Sequence, residues 1–156
     1  MSYRATKTTD ELPAALFEFL AQGQAGVLLT TGKDGYPNSA FTWLVATGNR
    51  TLQFVADIGS ATLDNLVRES QAAIQILGAG NLTFLIKGKT RVVKPDLGSD
   101  TIRLAQVELA VESVKDQSWA GVTVAPLSFE WPEAQRQAMQ KFEKAIILEM
   151  RSTAAR

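Results

Sequence analysis

Residues 60–62, Ser-Ala-Thr, carry the most informative polar chemistry of the sequence. Apolar residues at helical spacing follow Ser60, which predicts a short helix over residues 61–69 with Ser60 as its N-cap. Backbone N–H groups and the positive dipole end of such a helix, with two hydroxyls beside them, form a cradle for an anion such as phosphate. An ordinary helix cap without any ligand is the alternative, and the residues alone leave both open.

A second group of polar residues alternates along a β-prone run and consists of Lys87, Lys89 and Arg91. Because side chains alternate between the two faces of a strand, these three cations share one face. They form either a solvated strand face, which is the simpler account, or a group that meets a phosphate at a subunit boundary.

The composition excludes much familiar enzyme chemistry. The 156 residues include no histidine and no cysteine, so disulfides, thiolate nucleophiles, Cys/His zinc sites and a histidine base are all excluded. Sixteen basic and sixteen acidic residues give a formal net charge of zero, which removes the electrostatic argument for nucleic acid or a polybasic membrane anchor. No metal site is predicted, since nothing beside the acidic pairs would complete one: Asp96/Asp100 and Glu108/Glu112. No catalytic side chain is assigned.

The location and the number of domains are predicted from sequence features other than the motifs. The N-terminus lacks the layout of a signal peptide, and no apolar run approaches the ~20 residues of a membrane span, so a cytoplasmic protein is expected. The length and the 46% hydrophobic content predict one domain over residues 1–156.

The apolar patterns predict a meander of six strands with helices around it. Thr8 and Glu11 have capping-box spacing before a helix over residues 9–22. Gly88 lies in mid-strand, which predicts a bulge or a bend where a sheet curls into a barrel. The strands are expected at 26–31, 38–47, 51–56, 72–77, 82–94 and 122–131, and further helices at about 100–115 and 133–151. On these two helices, the predicted apolar faces are Ile102, Ala105 and Leu109, and Ala138, Phe142, Ala145, Ile146 and Met150.

The order of these elements, together with short sequence motifs within them, resembles that of the FMN-binding split-barrel family typified by pyridoxamine 5'-phosphate oxidase. The similarity spans roughly residues 26–131. It comprises a turn at residues 33–37, a helix start at 60–62 and a final strand at 126–131. Three further strand segments belong to it, at residues 38–43, 52–57 and 86–93. The resemblance implies a six- to seven-stranded, mostly antiparallel split barrel with flanking helices, whose barrel occupies residues 26–131.

The resemblance also implies a cofactor site. Aromatic residues such as Trp43, Phe41 and Phe54 would flank an isoalloxazine ring, although plain core is the commoner role of such residues in strands. The implied FMN-binding residues are Ser39, Phe41, Thr42, Trp43, Val55, Ala56, Asp57, Ser60, Thr62 and Lys89. Relatives commonly place an Arg or Lys near the second strand and at the helix start to neutralise the flavin phosphate, whereas this sequence has Ser39, Ala40, Thr42 and Thr62 there.

The implied function is that of an FMN-binding oxidoreductase acting on an unknown small molecule or a nicotinamide electron donor. A deazaflavin-dependent reductase is one alternative. A split-barrel dimer that has lost tight flavin binding and acts as a sensor or ligand-binding protein is another, and the missing cations favour it. The resemblance also implies a homodimer, with the apolar strand Leu82–Ile86, Phe129 and Trp131 offering surface to bury.

Overall fold

The computed structural model describes residues 7–154. Strands make up most of the first three quarters of the chain, and the longest helix follows them. In chain order the elements are β1 (Thr8–Thr9), α1 (Ala14–Ala21), β2 (Gln24–Thr31), β3 (Pro37–Gly48), β4 (Thr51–Asp57), α2 (Ala61–Glu69), β5 (Gln71–Gly78), β6 (Leu82–Lys94), β7 (Leu104–Asp116) and α3 (Glu133–Ala154).

Six of the strands close into an antiparallel barrel. The order across the sheet is β7-β4-β3-β2-β5-β6, and a further pairing of β6 with β7 joins its two ends. The two residues of β1 add to the far end of β7, where Thr8 pairs with Lys115. Closure removes the exposed edges that an open sheet of this length would present. The predicted split barrel with flanking helices is confirmed.

The barrel interior is filled by alternate side chains of every strand. Leu44, Phe54, Ile74 and Leu109 are among its fully buried members. Phe54 therefore belongs to the core and lies outside any surface site. α1 contributes Leu16 and Leu20 to the same core.

The helix predicted over residues 100–115 is wrong, because this segment forms β7. Leu104–Asp116 pairs with β4 on one side and β6 on the other, and it is the strand that closes the barrel. Ala105 and Leu109 have helical spacing, but Val107, Leu109 and Val111 also alternate, and these three point into the core. Ile102 precedes the strand and packs beside α3.

The strand predicted over residues 122–131 is also wrong. This segment forms no strand, and its one backbone bond to the barrel runs from the Leu127 N–H to the Leu77 carbonyl, 2.9 Å. All the positions that it would take in the barrel belong to other strands, and Pro126 lacks the N–H that a ladder requires. The count of six barrel strands is correct, although one predicted member is replaced by β7.

The N-terminal helix begins five residues later than predicted. Thr9 is in β1 and its hydroxyl donates to the Glu11 carbonyl, 2.8 Å, so the expected capping box does not form. α1 starts after Pro13 instead, and Pro13 has no N–H for the helix to leave unpaired.

α3 covers the outer face of the barrel around β3 and β4. Its buried side chains are Met139, Phe142, Ile146 and Met150, which pack against Val45, Val55 and Leu104. Ala138 and Ala145, predicted on the same face, are exposed, because the buried stripe runs through Met139. No helix within residues 7–154 is long and apolar enough to cross a membrane, and the cytoplasmic location stays a prediction of the sequence.

Candidate functional site: a fork between two strands and an aromatic pocket

β3 and β4 separate halfway along β3, and the separation organises the site. Their ladder runs from Gly48↔Thr51 to Leu44↔Phe54 and ends there, although β3 continues back to Pro37 along β2. At the fork the buried Thr42 hydroxyl donates to the Val55 carbonyl, 2.7 Å, where the next ladder bond would be. The predicted site residues Thr42, Val55, Ala56 and Asp57 therefore border this fork from both sides.

Beyond the fork, a cluster of neutral polar side chains joins β2, β3 and α2. Asn38 Nδ2 donates to Thr62 Oγ1, 3.0 Å, and to Thr30 Oγ1, 3.2 Å, while Asn65 Nδ2 donates to the same Thr30 oxygen, 3.0 Å. We call Thr30, Asn38, Thr62 and Asn65 the Asn38 cluster. Asn38, Thr30 and Asn65 were not predicted as site residues. The available signal was polar side chains at positions where the apolar pattern of each element points inward.

The start of α2 is built as the sequence predicts. Ser60 Oγ accepts from the Leu63 N–H, 3.2 Å, and donates to the Asp57 carbonyl, 2.7 Å, so both functions of this hydroxyl serve the helix cap. Thr62 is only 7% exposed, and its Oγ1 accepts from Asn38. The Thr62 hydroxyl proton has no acceptor within the described residues and is therefore available to an anion at the helix start.

Two cations lie close to the Asn38 cluster, at positions other than those implied by the resemblance. Lys33 and Arg68 line a cleft of about 460 Å³ between the β2–β3 turn and α2, together with Asp34 and Asp64. Arg68 donates from Nη2 to the Thr31 carbonyl, 2.6 Å, and to Asn65 Oδ1, 3.0 Å. Because two carboxylates balance the two cations, this cleft provides a polar rather than a strongly positive environment.

Aromatic side chains form the second part of the site, on the outer face of β3. Phe41 is 76% exposed and Trp43 is half-buried beside it, whereas Phe54 lies in the barrel core. The extended segment before α3 brings Phe129 and Trp131 onto Trp43, with ring centroids 6.4 and 6.5 Å from the Trp43 ring. The resulting aromatic pocket has a volume of about 240 Å³, and its walls are Ala25, Phe41, Thr42, Trp43, Leu127, Ser128, Phe129 and Trp131.

The remaining predicted residues lie apart from these two groups. Ser39 is exposed on the outer face of β3, opposite Leu29. Lys89 pairs with Gln71 near the C-terminal end of α2, and its Nζ donates to Gln71 Oε1, 3.3 Å. The structure therefore places the fork, the Asn38 cluster and the aromatic pocket along one strand, β3, with the cluster and the pocket on its opposite faces, and it places Lys89 at the opposite end of α2 from Thr62.

The connection between β6 and β7 contains an acidic side chain held by hydrogen bonds. Hydrogen bonds from Arg103 and from the Gly98 N–H lower the pKa of Asp96, in the β6–β7 connection far along the chain from the fork. Within residues 7–154 no group of three or more acidic side chains is positioned to hold a metal ion.

Comparison with known proteins assigns the barrel to a family. A profile of the pyridoxamine 5'-phosphate oxidase family matches residues 12–125. Among solved structures, an F420 reductase is 14% identical with a TM-score of 0.59, covering 68% of this chain and 100% of its own. A Lactobacillus delbrueckii protein described as a candidate pyridoxamine 5'-phosphate oxidase is 18% identical with a TM-score of 0.56, covering 70% and 97%.

A conserved hypothetical protein from Mycobacterium tuberculosis extends further over the chain. It is 15% identical with a TM-score of 0.51, and the match covers 86% of this chain and 99% of that protein. No curated protein matches the sequence significantly. At these identities the structural matches establish the fold.

Proposed function

The chain belongs to the pyridoxamine 5'-phosphate oxidase family, and we propose that it is an FMN-binding oxidoreductase. The observation that carries the proposal is the aromatic pocket beside the fork, on the strand that the resemblance implies to line the flavin. A bound flavin would supply the electron transfer, and the protein would supply orientation and electrostatics. The substrate is a small molecule or a nicotinamide in this proposal.

The two parts of the site lie along one strand but on its two faces, since Asn38 and Thr42 alternate with Phe41 and Trp43. An elongated ligand would reach both parts around the edge of β3 that faces β4, where β3 has no partner before Leu44. From Asn38 to Trp43, β3 extends ~16 Å at ~3.3 Å per residue. Phe41 and Trp43 offer apolar surface for a planar ring at one end, in a pocket slightly smaller than the ~300 Å³ lower limit of typical ligand sites. The Thr62 hydroxyl and the first N–H groups of α2 offer donors for a phosphate at the other end.

The chemistry of this donor set fits a flavin phosphate, but with weak binding. Neutral hydroxyl and amide donors contribute about 1.5–3 kcal/mol each to a charged phosphate but leave its charge unneutralised, whereas a lysine or arginine adds an ion pair to the hydrogen bond. Ser60 has no spare hydrogen-bonding function to offer, since its oxygen already caps α2. We therefore assign the phosphate to Thr62 and the α2 backbone rather than to Ser60.

A deazaflavin is the second candidate cofactor. The similarity of the barrel to a protein described as an F420 reductase favours this candidate. Both cofactors have a planar three-ring system, so the aromatic pocket accepts either. Titrating the protein with each cofactor distinguishes them.

A homodimer is part of the proposal. The outer face of β2, β3 and β5 carries four apolar side chains that solvent reaches. Phe41 is exposed, and Val27, Leu29 and Ala73 are partly exposed. Phe84 and Ile86 of β6 lie inside the barrel and are unavailable for an interface. A second copy packed on this outer face by a two-fold axis would cover these side chains and place two equivalent sites across the dyad.

The pocket assignment is tested by cofactor titration, followed by the change in flavin fluorescence. Phe41→Ser removes one wall of the pocket from an exposed position and should weaken FMN binding by about ten-fold, roughly the 1–3 kcal/mol of one aromatic stacking contact. Tyr36→Ser is the matched control, because Tyr36 is equally exposed on the β2–β3 turn and lies outside the pocket. Equal FMN affinities for both variants and the unaltered protein would refute the assignment.

A further inference from the structure

The segment that follows the family-matched residues builds part of the site. The family profile ends at residue 125, and the F420 reductase is covered completely by 68% of this chain. Phe129, Trp131 and α3 therefore lie beyond the part of the chain that the profile matches. Phe129 and Trp131 are two of the three aromatic side chains that contact the Trp43 ring.

This segment is fixed to the barrel by several specific contacts. The Trp131 indole N–H donates to Glu143 Oε1, 2.7 Å, which joins the extended segment to α3. Phe142 meets the Trp43 ring edge-to-face, with centroids 5.9 Å apart. At the other end of α3, the Arg151 guanidinium donates to the Ala21 carbonyl and Lys94 pairs with Glu149. The surface between these contacts is therefore preorganised.

A long groove leads from the aromatic pocket along α3. Its volume is about 790 Å³, and it shares Trp43, Phe129 and Trp131 with the pocket. Three cations line it, namely Arg136, Lys144 and Arg151, against two carboxylates, Glu130 and Glu143. Arg136 and Lys144 have no ion-pair or hydrogen-bond partner within the described part of the chain.

We propose that this groove is a binding subsite for an apolar molecule that bears a single anionic group, such as a carboxylate. The apolar part packs against Trp43, Phe129 and Trp131, and the anion pairs with the cations that line the groove from two successive parts of α3, Arg136 and Lys144. The surplus of one positive charge in the lining suits a monoanion better than a phosphate dianion, which would also be repelled by Glu130 and Glu143.

The subsite adjoins the ring end of the proposed flavin site, because Trp43 is a wall of both. As a substrate subsite it rests on the proposed redox function, since only a bound flavin would give the second molecule a partner for electron transfer. Binding in the groove does not depend on that function. The chain therefore allows the two to be tested separately.

The test uses two fluorescent probes that differ in charge. Anilinonaphthalenesulfonate is an aromatic monoanion, and N-phenylnaphthylamine has the same ring system without the sulfonate. The full-length protein should bind both, and the double variant Arg136→Gln/Lys144→Gln should bind the anionic probe about five-fold more weakly, the combined effect expected of two exposed ion pairs. The neutral probe should change by less than two-fold.

Two further variants complete the test. Lys141→Gln removes a cation of α3 that does not line the groove and should leave both affinities unchanged. Phe129→Ser alters a half-exposed wall residue and should weaken both probes alike. Failure of both probes to bind, or equal losses for both probes in the double variant, would overturn the proposal.

A flavin titration on the same proteins separates this proposal from the proposed function. FMN affinity should be the same in the double variant and in the unaltered protein, because Arg136 and Lys144 lie on α3, away from Thr62. Absence of any flavin binding together with charge-dependent probe binding would refute the redox function and support the groove. Flavin binding without charge-dependent probe binding would refute the groove proposal and support the proposed flavin site.

Discussion

At the scale of single residues, the site replaces cations by neutral hydrogen-bonding groups. Thr62 occupies the helix-start position at which the resemblance implies a lysine, and its oxygen bonds to Asn38 on the facing strand. Asn65 and Thr30 extend the same network. These bonds hold α2 against β3 without a ligand, so the cluster has a structural role whether or not a phosphate binds.

Restoring a cation at the helix start should strengthen phosphate binding. Thr62→Lys is expected to tighten FMN binding by about 1 kcal/mol or more through a charge-assisted bond, while riboflavin, which lacks the phosphate, gains little. Titration of both ligands against both proteins measures the difference. The variant loses the hydrogen bond from Asn38, so a modest loss of stability, about 1 kcal/mol, should accompany it.

The control for Thr62→Lys adds the same charge elsewhere on α2. Val67 is 66% exposed, so Val67→Lys introduces a lysine without disturbing a buried contact. FMN affinity should stay unchanged in this variant. An equal gain in both variants would mean that general attraction, rather than a phosphate at the α2 start, governs binding.

How far a residue's role follows from the sequence depends on how local its partners are. The Ser60 cap follows from its position before an apolar helical pattern, and all its bonds are to residues within three positions. The partners of Asn38 are 8 and 24 residues away, so its role requires the closed barrel. Phe41 and Trp43 were identified through the resemblance, but the walls supplied by Phe129 and Trp131 depend on where an unpaired segment crosses β3.

At the scale of elements, local patterns identify those stabilised by local contacts. The bounds of α2 agree at both ends with the predicted range, residues 61–69. Its cap and its apolar residues adjoin one another in the sequence, so the prediction needed no long-range contact. β7 was misassigned because its alternating residues also repeat at helical spacing, and its pairing with β4 and β6 is entirely long-range. The capping box at Thr8 fails for the same reason, since β1 pairs with β7 more than a hundred residues away.

The bend of β6 at Gly88 is confirmed and depends on the absence of a side chain. The ladder with β7 shifts register between Lys87 and Gly88, and a Cβ on Gly88 would lie 2.0 Å from the Ala110 carbonyl oxygen. The β7 backbone therefore occupies the space that a side chain at this position would need. Any side chain must push one of the two strands away from the seam that closes the barrel.

Gly88→Ala should therefore destabilise the protein. We expect a loss of about 1–3 kcal/mol in the free energy of unfolding, corresponding to a melting temperature lower by several degrees at ~2–4 °C per kcal/mol. Gly48→Ala is the control, because the nearest atom to a Cβ there is 3.8 Å away. Equal melting temperatures for Gly88→Ala and the unaltered protein would show that β6 tolerates a side chain at the seam.

At the scale of the whole molecule, the proposed dimer places the sites at an interface. The outer face of β2, β3 and β5 should be covered by a second copy, and stable interfaces bury roughly 800 Å² per partner. Light scattering at micromolar concentration should give twice the mass of one chain. Leu29→Glu puts a charge in the middle of this face and should yield monomers, whereas Tyr36→Glu, on the exposed β2–β3 turn, should leave the dimer intact.

A mass of one chain for the unaltered protein would contradict the dimer. The same would follow if Leu29→Glu remained dimeric, because that face would then be free. The aromatic pocket and the Asn38 cluster each belong to a single chain, so a monomeric protein would still allow the cofactor test.

The overall fold was predictable from the order of short sequence motifs along the chain, even though two elements were misassigned. A closed barrel requires six strands in this topology, and the chain supplies the sixth from residues 104–116 when residues 122–131 do not pair. What could not be predicted is how α3 and its preceding segment pack, because no pattern in the sequence specifies which outer face of a closed barrel a C-terminal helix covers.

The central claim, that this barrel binds a flavin, is tested most directly by difference absorption spectroscopy of the purified protein with added FMN. Because the phosphate donors are neutral, FMN is expected to bind weakly. The measurement is therefore made at equilibrium, without removing unbound cofactor. The visible flavin bands should be perturbed, with a change that saturates at one FMN per chain. The absence of any perturbation with FMN, and likewise with a deazaflavin, would contradict it.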